Sequence, residues 1–403
     1  MDLKSGYPFW SIRNGLMRAF PRLQQDLRCD VAVIGGGITG ALIADELVRH
    51  GHEVAVLEQR EIGWGSTSAS TALLQYEIDV PLVELSRLLG PAPAEQAYLA
   101  CAAAIDQLHE RASAVGQVDF RRNDSLYYAS RRRDVAQLRA ELEARRRIGL
   151  EVDWLDPMAL WRDYGVRAPA ALLSRQAARI DPYRMTYRLL GECVSAGAAV
   201  HDRTAVTTIE ATARGVRLHT ADGARVHAGH LIVAAGYAGQ QWLSQRVARN
   251  RSSYAFVTDP LDDREAGALR HTMMWETARP YLYLRGTADG RIIAGGEDDD
   301  IDLPARRDAR VLSKAAKLCR KIGKAMPDLR LRPVFAWGGT FAETADGLPF
   351  FGAHAEHGSR VLFAMAYGGN GITYSMLGAG LLRATIERRA HPLAELFGFG
   401  RLR

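Results

Sequence analysis

The chain has 403 residues, 47% of them apolar and 24% charged, with a net charge of +6. This balance is that of a globular protein and excludes wholesale disorder; at about 150 residues per domain the length predicts two or three domains. Four cysteines (Cys29, Cys101, Cys193, Cys319) form no CxxC pair and no histidine cluster accompanies them, which excludes structural zinc and a disulfide framework.

The opening MDLKSGYPFWSIRNG has no continuous apolar core followed by a small-residue cleavage site. It is not a signal peptide, and a cytoplasmic setting is expected. Residues 30–34, DVAVI, read as a strand that stops at Gly35-Gly36-Gly37. Ile38, Leu42, Ile43 and Leu47 then recur at helical spacing, Gly51 ends the helix, and EVAVLE is a second strand. This is a β-α-β unit of a parallel sheet.

Within it lies Gly35-x-Gly37-x-x-Gly40. Gly35 permits the tight turn, Gly37 lets the backbone approach a pyrophosphate, and Gly40 allows close helix–strand packing. The helix N-terminus offers free N–H groups to the phosphates. Glu58 closes the second strand, where a carboxylate can accept from ribose hydroxyls. That acid argues against NADP and leaves NAD and FAD open. The following loop carries Gly63, Gly65, Ser66, Thr67, Ser68, Ser70 and Thr71. Its hydroxyls and N–H groups suit the second phosphate and ribityl chain of a longer cofactor.

Helices are expected around residues 83–115, over 133–147 and over 183–196, with a strand near 120–130 between the first two. The basic runs Arg131–Arg133 and Arg145–Arg147 are interspersed with acids, so they read as solvated helix faces and imply no nucleic-acid partner. A meander leads to a buried strand at Leu231–Ala234, further strands fill 252–296, and an amphipathic helix spans 306–325. Glu297-Asp298-Asp299-Asp300 lacks EF-hand spacing and reads as an exposed acidic turn, not a metal site. Residues 361–382 carry no charge and are long enough to span a membrane. They hold Gly368-Gly369-Asn370-Gly371, a turn whose N–H groups lipid would leave unsatisfied. The stretch therefore reads as a buried strand, Leu362–Ala366, then a turn, then a helix from Ile372 to Ile386, with no membrane partner.

Several segments in order resemble the D-amino-acid-oxidase-like family of FAD-dependent oxidoreductases, which includes glycine, sarcosine and γ-glutamylputrescine oxidases. They are DVAVIGGGITG, GWGSTSAS, ARIDPYRM, LIVAAGYAG, GRIIAGGE, TADGLPFFG and AYGGNGIT. Tyr7-Pro8-Phe9-Trp10 is similar to an element of the γ-glutamylputrescine-oxidase branch. The resemblance implies an α/β fold: a Rossmann-like FAD-binding domain (1–82, 170–247 and 331–403) interleaved with a mostly antiparallel substrate domain (83–169 and 248–330). It places Gly35, Gly37, Ile38, Thr39 and Gly40 along the pyrophosphate, and Glu58, Gln59 and Arg60 at the adenosine ribose. Gly65, Ser66, Thr67, Ser70, Thr71 and Ala72 would line the ribityl chain and flavin, and Val206 would meet adenine. Ala234, Ala235 and Gly236 would approach the cofactor closely, a side chain at Gly236 colliding with it. Gly369, Asn370, Gly371 and Ile372 would lie beside the flavin ring.

The implied reaction is oxidation of an amine or amino acid by hydride transfer to flavin N5, with imine hydrolysis and reoxidation by oxygen or another acceptor. An NAD-linked dehydrogenase and a non-catalytic flavoprotein subunit are the competing readings. Amino-acid members carry an Arg where Phe341 stands here, so the clamp for a substrate carboxylate is missing, with Arg285 a candidate replacement. Gly339 stands where some members attach FAD through Cys, so noncovalent FAD is expected. No Lys occupies the strand RIIAGG, where some oxidases place one, so oxidase and dehydrogenase both stay open. Tyr254, Trp275, Tyr281, Tyr283 and Trp337 are candidates for an aromatic amine cage. Gln75 and Glu77 are candidates to face substrate, and His271, His354 and His357 are weaker acid–base candidates. No oligomeric state can be read.

Overall fold

The computed structural model describes residues 2–301, 303–365 and 367–402. Two sheets organise it. The first has the strand Leu27–Ile34 at its centre, paired in parallel with Val54–Leu57 and Arg225–Val233. Ala199–His201 extends one side and Val361–Met365 the other, both parallel, and Phe350–Ala353 closes the edge antiparallel. The central strands are apolar along their inner halves because helices and a second sheet shield them from water. Helices Ile38–Arg49, Pro182–Ser195, Pro91–Val115 and Gly371–Ile386 pack against one another over this sheet, and their apolar faces form one core with it.

The second sheet has nine strands. Its order runs Pro333–Glu343, Arg249–Thr258, Ile292–Asp299, Leu282–Gly286, Thr272–Glu276, Arg121–Tyr128, Ala171–Arg179 and Leu73–Gln75, with Val152–Leu155 beside Ala171–Arg179. Every pairing is antiparallel except that of Thr272–Glu276 with Arg121–Tyr128. Helix Val311–Ala325 covers it with Ala315, Leu318 and Ile322. Three of these strands, 73–75, 171–179 and 333–343, lie in segments assigned above to the FAD-binding domain. A strand's own residues carry no mark of which sheet receives it.

Other differences are local. The helix expected over 306–325 is two, Pro304–Asp308 and Val311–Ala325. Helix Pro157–Tyr164 begins at Asp156, whose carboxylate accepts from the Met158 and Ala159 N–H groups, an N-cap that hydrophobic spacing alone does not reveal. The charge-free stretch is a strand, a turn and a helix. Ala366, the last residue of the expected strand, lies outside the described residues. Among the described residues no helix is long and apolar enough to cross a membrane.

Candidate active site

The two sheets meet at the end of the first strand. The Ala234 N–H donates to the Ile34 carbonyl at 2.8 Å, so the chain ends of two parallel strands lie together. Gly35 turns there with φ of 114°, and a Cβ on it would stand 2.3 Å from the Ala234 carbonyl oxygen. A Cβ on Gly40 would stand 1.9 Å from the Gly35 oxygen, so helix and strand touch through backbone. Gly37 is different: its φ is −82°, and a Cβ would meet only Thr67 Oγ1, at 3.0 Å.

One cavity runs from this turn to the second sheet. Gly35, Gly37, Ile38 and Thr39 line it, followed by Glu58, Gln59 and Arg60 with Val206 beside them. Gly65, Ser66, Thr67, Ser70, Thr71 and Ala72 form another wall. Ala234, Ala235 and Gly236 line the cavity from the third strand, and Gly369, Asn370, Gly371 and Ile372 from the C-terminal turn. Of the cofactor residues expected from sequence only Gly40 is absent from the lining, since it packs the helix on Gly35. A Cβ at Gly236 would meet no described protein atom within 4 Å, and the residue's φ of 55° by itself favours glycine there.

Backbone amides and side chains hold this cradle in shape. Glu58 accepts from the Gly36 N–H at 2.7 Å and the Arg60 N–H at 2.9 Å, while burial pushes its carboxyl up. Thr67 Oγ1 accepts from the Ile38 N–H at 2.9 Å, tying the hydroxyl-rich loop to the glycine turn. Three buried donors take successive carbonyls of that loop: Trp337 Nε1 that of Ala69, Trp10 Nε1 that of Ser70, and Arg285 Nε that of Thr71. Asn370 Nδ2 donates to the Glu77 carbonyl at 2.7 Å, which docks the C-terminal turn on residues 75–79.

Arg285 corrects the sequence reading. It is 1% exposed and does not line the cavity. Its other nitrogens donate to the carbonyls of Gly286 and Ile180. It positions the loop and cannot clamp a carboxylate. Glu77 is buried against Arg145, not in the cavity, whereas Gln75 lines it. The acidic turn is exposed only at Asp300: Glu297 is fully buried, with Lys317 Nζ at 2.5 Å and Lys321 Nζ at 2.6 Å. No cluster that could hold a metal occurs among the described residues. His271, His354 and His357 lie outside the cavity; His357 Nε2 is 2.6 Å from the Trp242 carbonyl oxygen.

The aromatic candidates Tyr254, Trp275, Tyr281, Tyr283 and Trp337 all line the cavity, with Phe341 and Gly339. Tyr254 turns its hydroxyl to Asp299 at 3.1 Å, and Tyr281 donates to the Asp79 carbonyl at 3.0 Å. Tyr283 lies 3.4 Å from the Ser253 hydroxyl. Missed in the sequence were Lys4, Asp79 and Asp298, which also line the cavity. Lys4 arrives because the N-terminal arm bridges to Gly339; it lies 3.7 Å from the Trp64 ring centroid, and burial lowers its amine to about 8. A lone lysine outside any motif carries no pattern that marks it. Asp298 could have been found only by resolving which of four consecutive acids turns inward.

A sequence model of the DAO family, described as FAD dependent oxidoreductase, matches residues 30–385. The chain belongs to this family. Glycine oxidase of Geobacillus kaustophilus is 29% identical over 387 residues, covering 92% of this chain and 96% of that one. Gamma-glutamylputrescine oxidoreductase of Escherichia coli is 28% identical over 397 residues, covering 92% and 87%. The fold matches the crystal structure of the Geobacillus kaustophilus glycine oxidase with a TM-score of 0.75 at 23% identity, covering 93% and 99%. L-amino acid deaminase from Proteus myxofaciens matches with 0.78 at 14% identity, covering 100% and 98%. This DAO-family chain is thus an FAD-dependent oxidoreductase, and the NAD-linked reading ends here.

The cavity fits the cofactor that the family uses. Ser66 Oγ is buried in its wall with no hydrogen-bond partner among the described residues, a donor set aside for a ligand. At Gly37 the backbone is open to the cavity with no side chain in the way. If the three loop donors keep the cradle in shape, Trp337→Phe removes one hydrogen bond of ~1 kcal/mol. FAD affinity of the apoprotein is expected to fall several-fold, read by quenching of flavin fluorescence in a titration.

Proposed function

We propose that this DAO-family chain oxidises the carbon–nitrogen bond of a small amine or amino acid, with noncovalent FAD held by the residues of the glycine turn, Glu58, the 65–72 loop and the 369–372 turn. The observation that carries this is the single cavity shared by the glycine-rich turn and the aromatic wall of the second sheet. It lets a cofactor and a substrate meet under one roof. The names of the relatives point the same way, since they include oxidases of glycine and of gamma-glutamylputrescine. On this reading the segments built on the first sheet hold the cofactor, and those of the second hold the substrate.

FAD, when bound, supplies the acceptor for the hydride leaving the carbon next to nitrogen. The nitrogen gives up its proton, and the resulting imine takes up water and splits into a carbonyl compound and an amine or ammonia. The protein's part is to orient that carbon and to keep water from it. Trp275, Tyr281, Tyr283 and Phe341 supply an apolar wall for this. Trp275 is fixed by stacking on Tyr127 at 3.7 Å between centroids and by donating to Ser125 Oγ at 3.0 Å. Tyr283 fits only because position 295 is glycine; a Cβ there would stand 2.5 Å from its ring. The helix Gly371–Ile386 directs its N-terminal end at the cavity, which favours negative charge there. Oxygen or a further acceptor closes the cycle, in a protein expected to be cytoplasmic.

Purified protein is expected to be yellow, and acid precipitation should release all the flavin to the supernatant. Flavin retained in the pellet would refute noncovalent attachment. Anaerobic mixing with a panel of amines and amino acids should bleach the flavin band. If none bleaches it, the amine-oxidising reading fails.

A further inference from the structure

The substrate end of the cavity carries an unusual set of charges. Among the described residues its acidic lining residues are Asp79, Asp298 and Glu343, besides Glu58 at the glycine turn. The basic side chains that line the cavity among the described residues are Lys4 and Arg60, one on Trp64 and the other just after Glu58. Arg279 stands beside the three acids without lining the cavity. Its guanidinium lies flat on Tyr281, 3.4 Å from the ring centroid, and donates to the Asp79 carbonyl.

Two of the acids are occupied. Asp79 accepts from the Gly369 N–H at 2.7 Å, and Glu343 pairs with Arg251 at 2.5 Å. Asp298 is not. Its Oδ1 atom is buried and accepts no hydrogen bond, and no cation forms an ion pair with it among the described residues. Burial first, and then the charges of Asp79 and Glu343, raise its carboxyl to about 6; Ser253 and Arg279 oppose the rise. A buried carboxylate in that state is costly unless a cation joins it.

The backbone is built to put Asp298 there. Gly296 pairs with Tyr254 and Asp299 with Ser252, so two residues, Glu297 and Asp298, stand opposite Ser253 alone. This is a β-bulge, with Glu297 at φ of 57°. A bulge re-aims side chains beside a site. Here Glu297 is sent to the lysines of helix Val311–Ala325 and Asp298 to the cavity.

A cation at Asp298 cannot be the reacting nitrogen itself. Loss of hydride needs that nitrogen neutral, and a carboxylate held against it would keep it protonated. Resting on the amine-oxidising reading above, we propose that the substrate carries a second, cationic nitrogen and no carboxylate, and that Asp298 is the counter-ion that holds it while the first nitrogen reacts. The site then selects di- and polyamines over simple alkylamines and over amino acids. The aromatic faces of Tyr281 and Tyr283 would flank the chain between the two nitrogens.

The test compares three four-carbon probes in anaerobic flavin reduction of the holoenzyme: 1,4-diaminobutane, butylamine and 4-aminobutanoate. The diamine is expected to reduce the flavin with a second-order rate constant at least about tenfold above both others, the size of one well-placed charge pair. Asp298→Asn should collapse the diamine-to-butylamine ratio toward one, whatever happens to the absolute rates. A merely structural role would lower both rates and leave the ratio. Preference for butylamine or 4-aminobutanoate, or an unchanged ratio in the variant, overturns the proposal while leaving amine oxidation intact. Binding of tetramethylammonium, followed by perturbation of the bound flavin's spectrum, gives a readout without turnover. It should weaken at least about fivefold in Asp298→Asn. If no probe reduces the flavin yet this binding depends on Asp298, amine oxidation fails and the cation site stands; binding indifferent to Asp298 sinks the site.

Discussion

Gly37→Val is expected to give a folded protein that has lost its flavin. Gly37 has ordinary extended backbone angles, φ −82° and ψ −177°, which valine adopts readily. A Cβ there meets only the Thr67 hydroxyl, at 3.0 Å, so the added methyls turn into the cavity and not into the core. They occupy the path by which a pyrophosphate would reach the helix N-terminus. Overpacking of 1–3 kcal/mol at that point weakens binding by about 10- to 100-fold. Gly40→Val provides the contrast. Its Cβ would strike the Gly35 carbonyl oxygen at 1.9 Å, backbone against backbone, so helix and strand must separate. That variant should lose stability along with the flavin. Circular dichroism and melting should therefore separate the two variants, while the ratio of flavin to protein absorbance is low in both. A yellow, fully loaded Gly37→Val would refute the placement of the pyrophosphate.

The contrast also marks what the sequence could reveal. The glycine turn was legible because its chemistry is local: strand, turn and helix follow each other within twenty residues. The hydroxyl-rich loop was legible for the same reason. What holds that loop was not. Trp10, Arg285 and Trp337 come from three distant segments and converge on three consecutive carbonyls. Each looked like something else alone: an N-terminal aromatic, a carboxylate clamp, a member of a cage. The acidic run 297–300 misled for a related reason. Four consecutive acids suggest one exposed patch, but a bulge sends Glu297 to a lysine-lined helix and Asp298 to the cavity, and leaves Asp300 at the surface with Arg249 and Arg251. Basic and acidic residues on the helix 135–147 read as solvated, yet Arg145 and Glu141 are each 1% exposed. Charge says where a residue prefers to be; only the fold says whether a partner waits inside.

Arg145→Met follows from that last case, and its effect should be the largest on stability. The Arg145 Nε donates to Glu141 at 2.8 Å, and its guanidinium lies 3.5 Å from the Glu77 carboxylate. Glu141 also accepts from the Leu82 and Val83 N–H groups, capping the start of helix Leu82–Leu89. One cation thus serves two buried carboxylates. Methionine fills the volume but leaves both buried acids without a cation, Glu141 keeping only its two backbone N–H donors, which costs about 3–5 kcal/mol. Chemical denaturation at constant m-value should show it as a lower midpoint. The loss depends on pH with a definite sign. Burial raises the Glu77 carboxyl above its ordinary value, and Arg145 opposes that rise. Without Arg145 the folded-state carboxyl of Glu77 rises further above that of the unfolded chain. The deficit is then greatest above that raised value and shrinks as pH falls through it. Glu77→Gln in the same background should recover part of the loss, because the burdened charge is gone. The damage should also reach the cofactor. Glu77 lends its carbonyl to Asn370, and Gln75 and Asp79 on either side line the cavity. Slackening residues 75–79 frees the turn before the C-terminal helix, so flavin affinity should fall in Arg145→Met and return with the second substitution. A destabilised variant with unchanged affinity would show that the buried triad and the flavin site are independent, and an undiminished midpoint would refute the role given to Arg145.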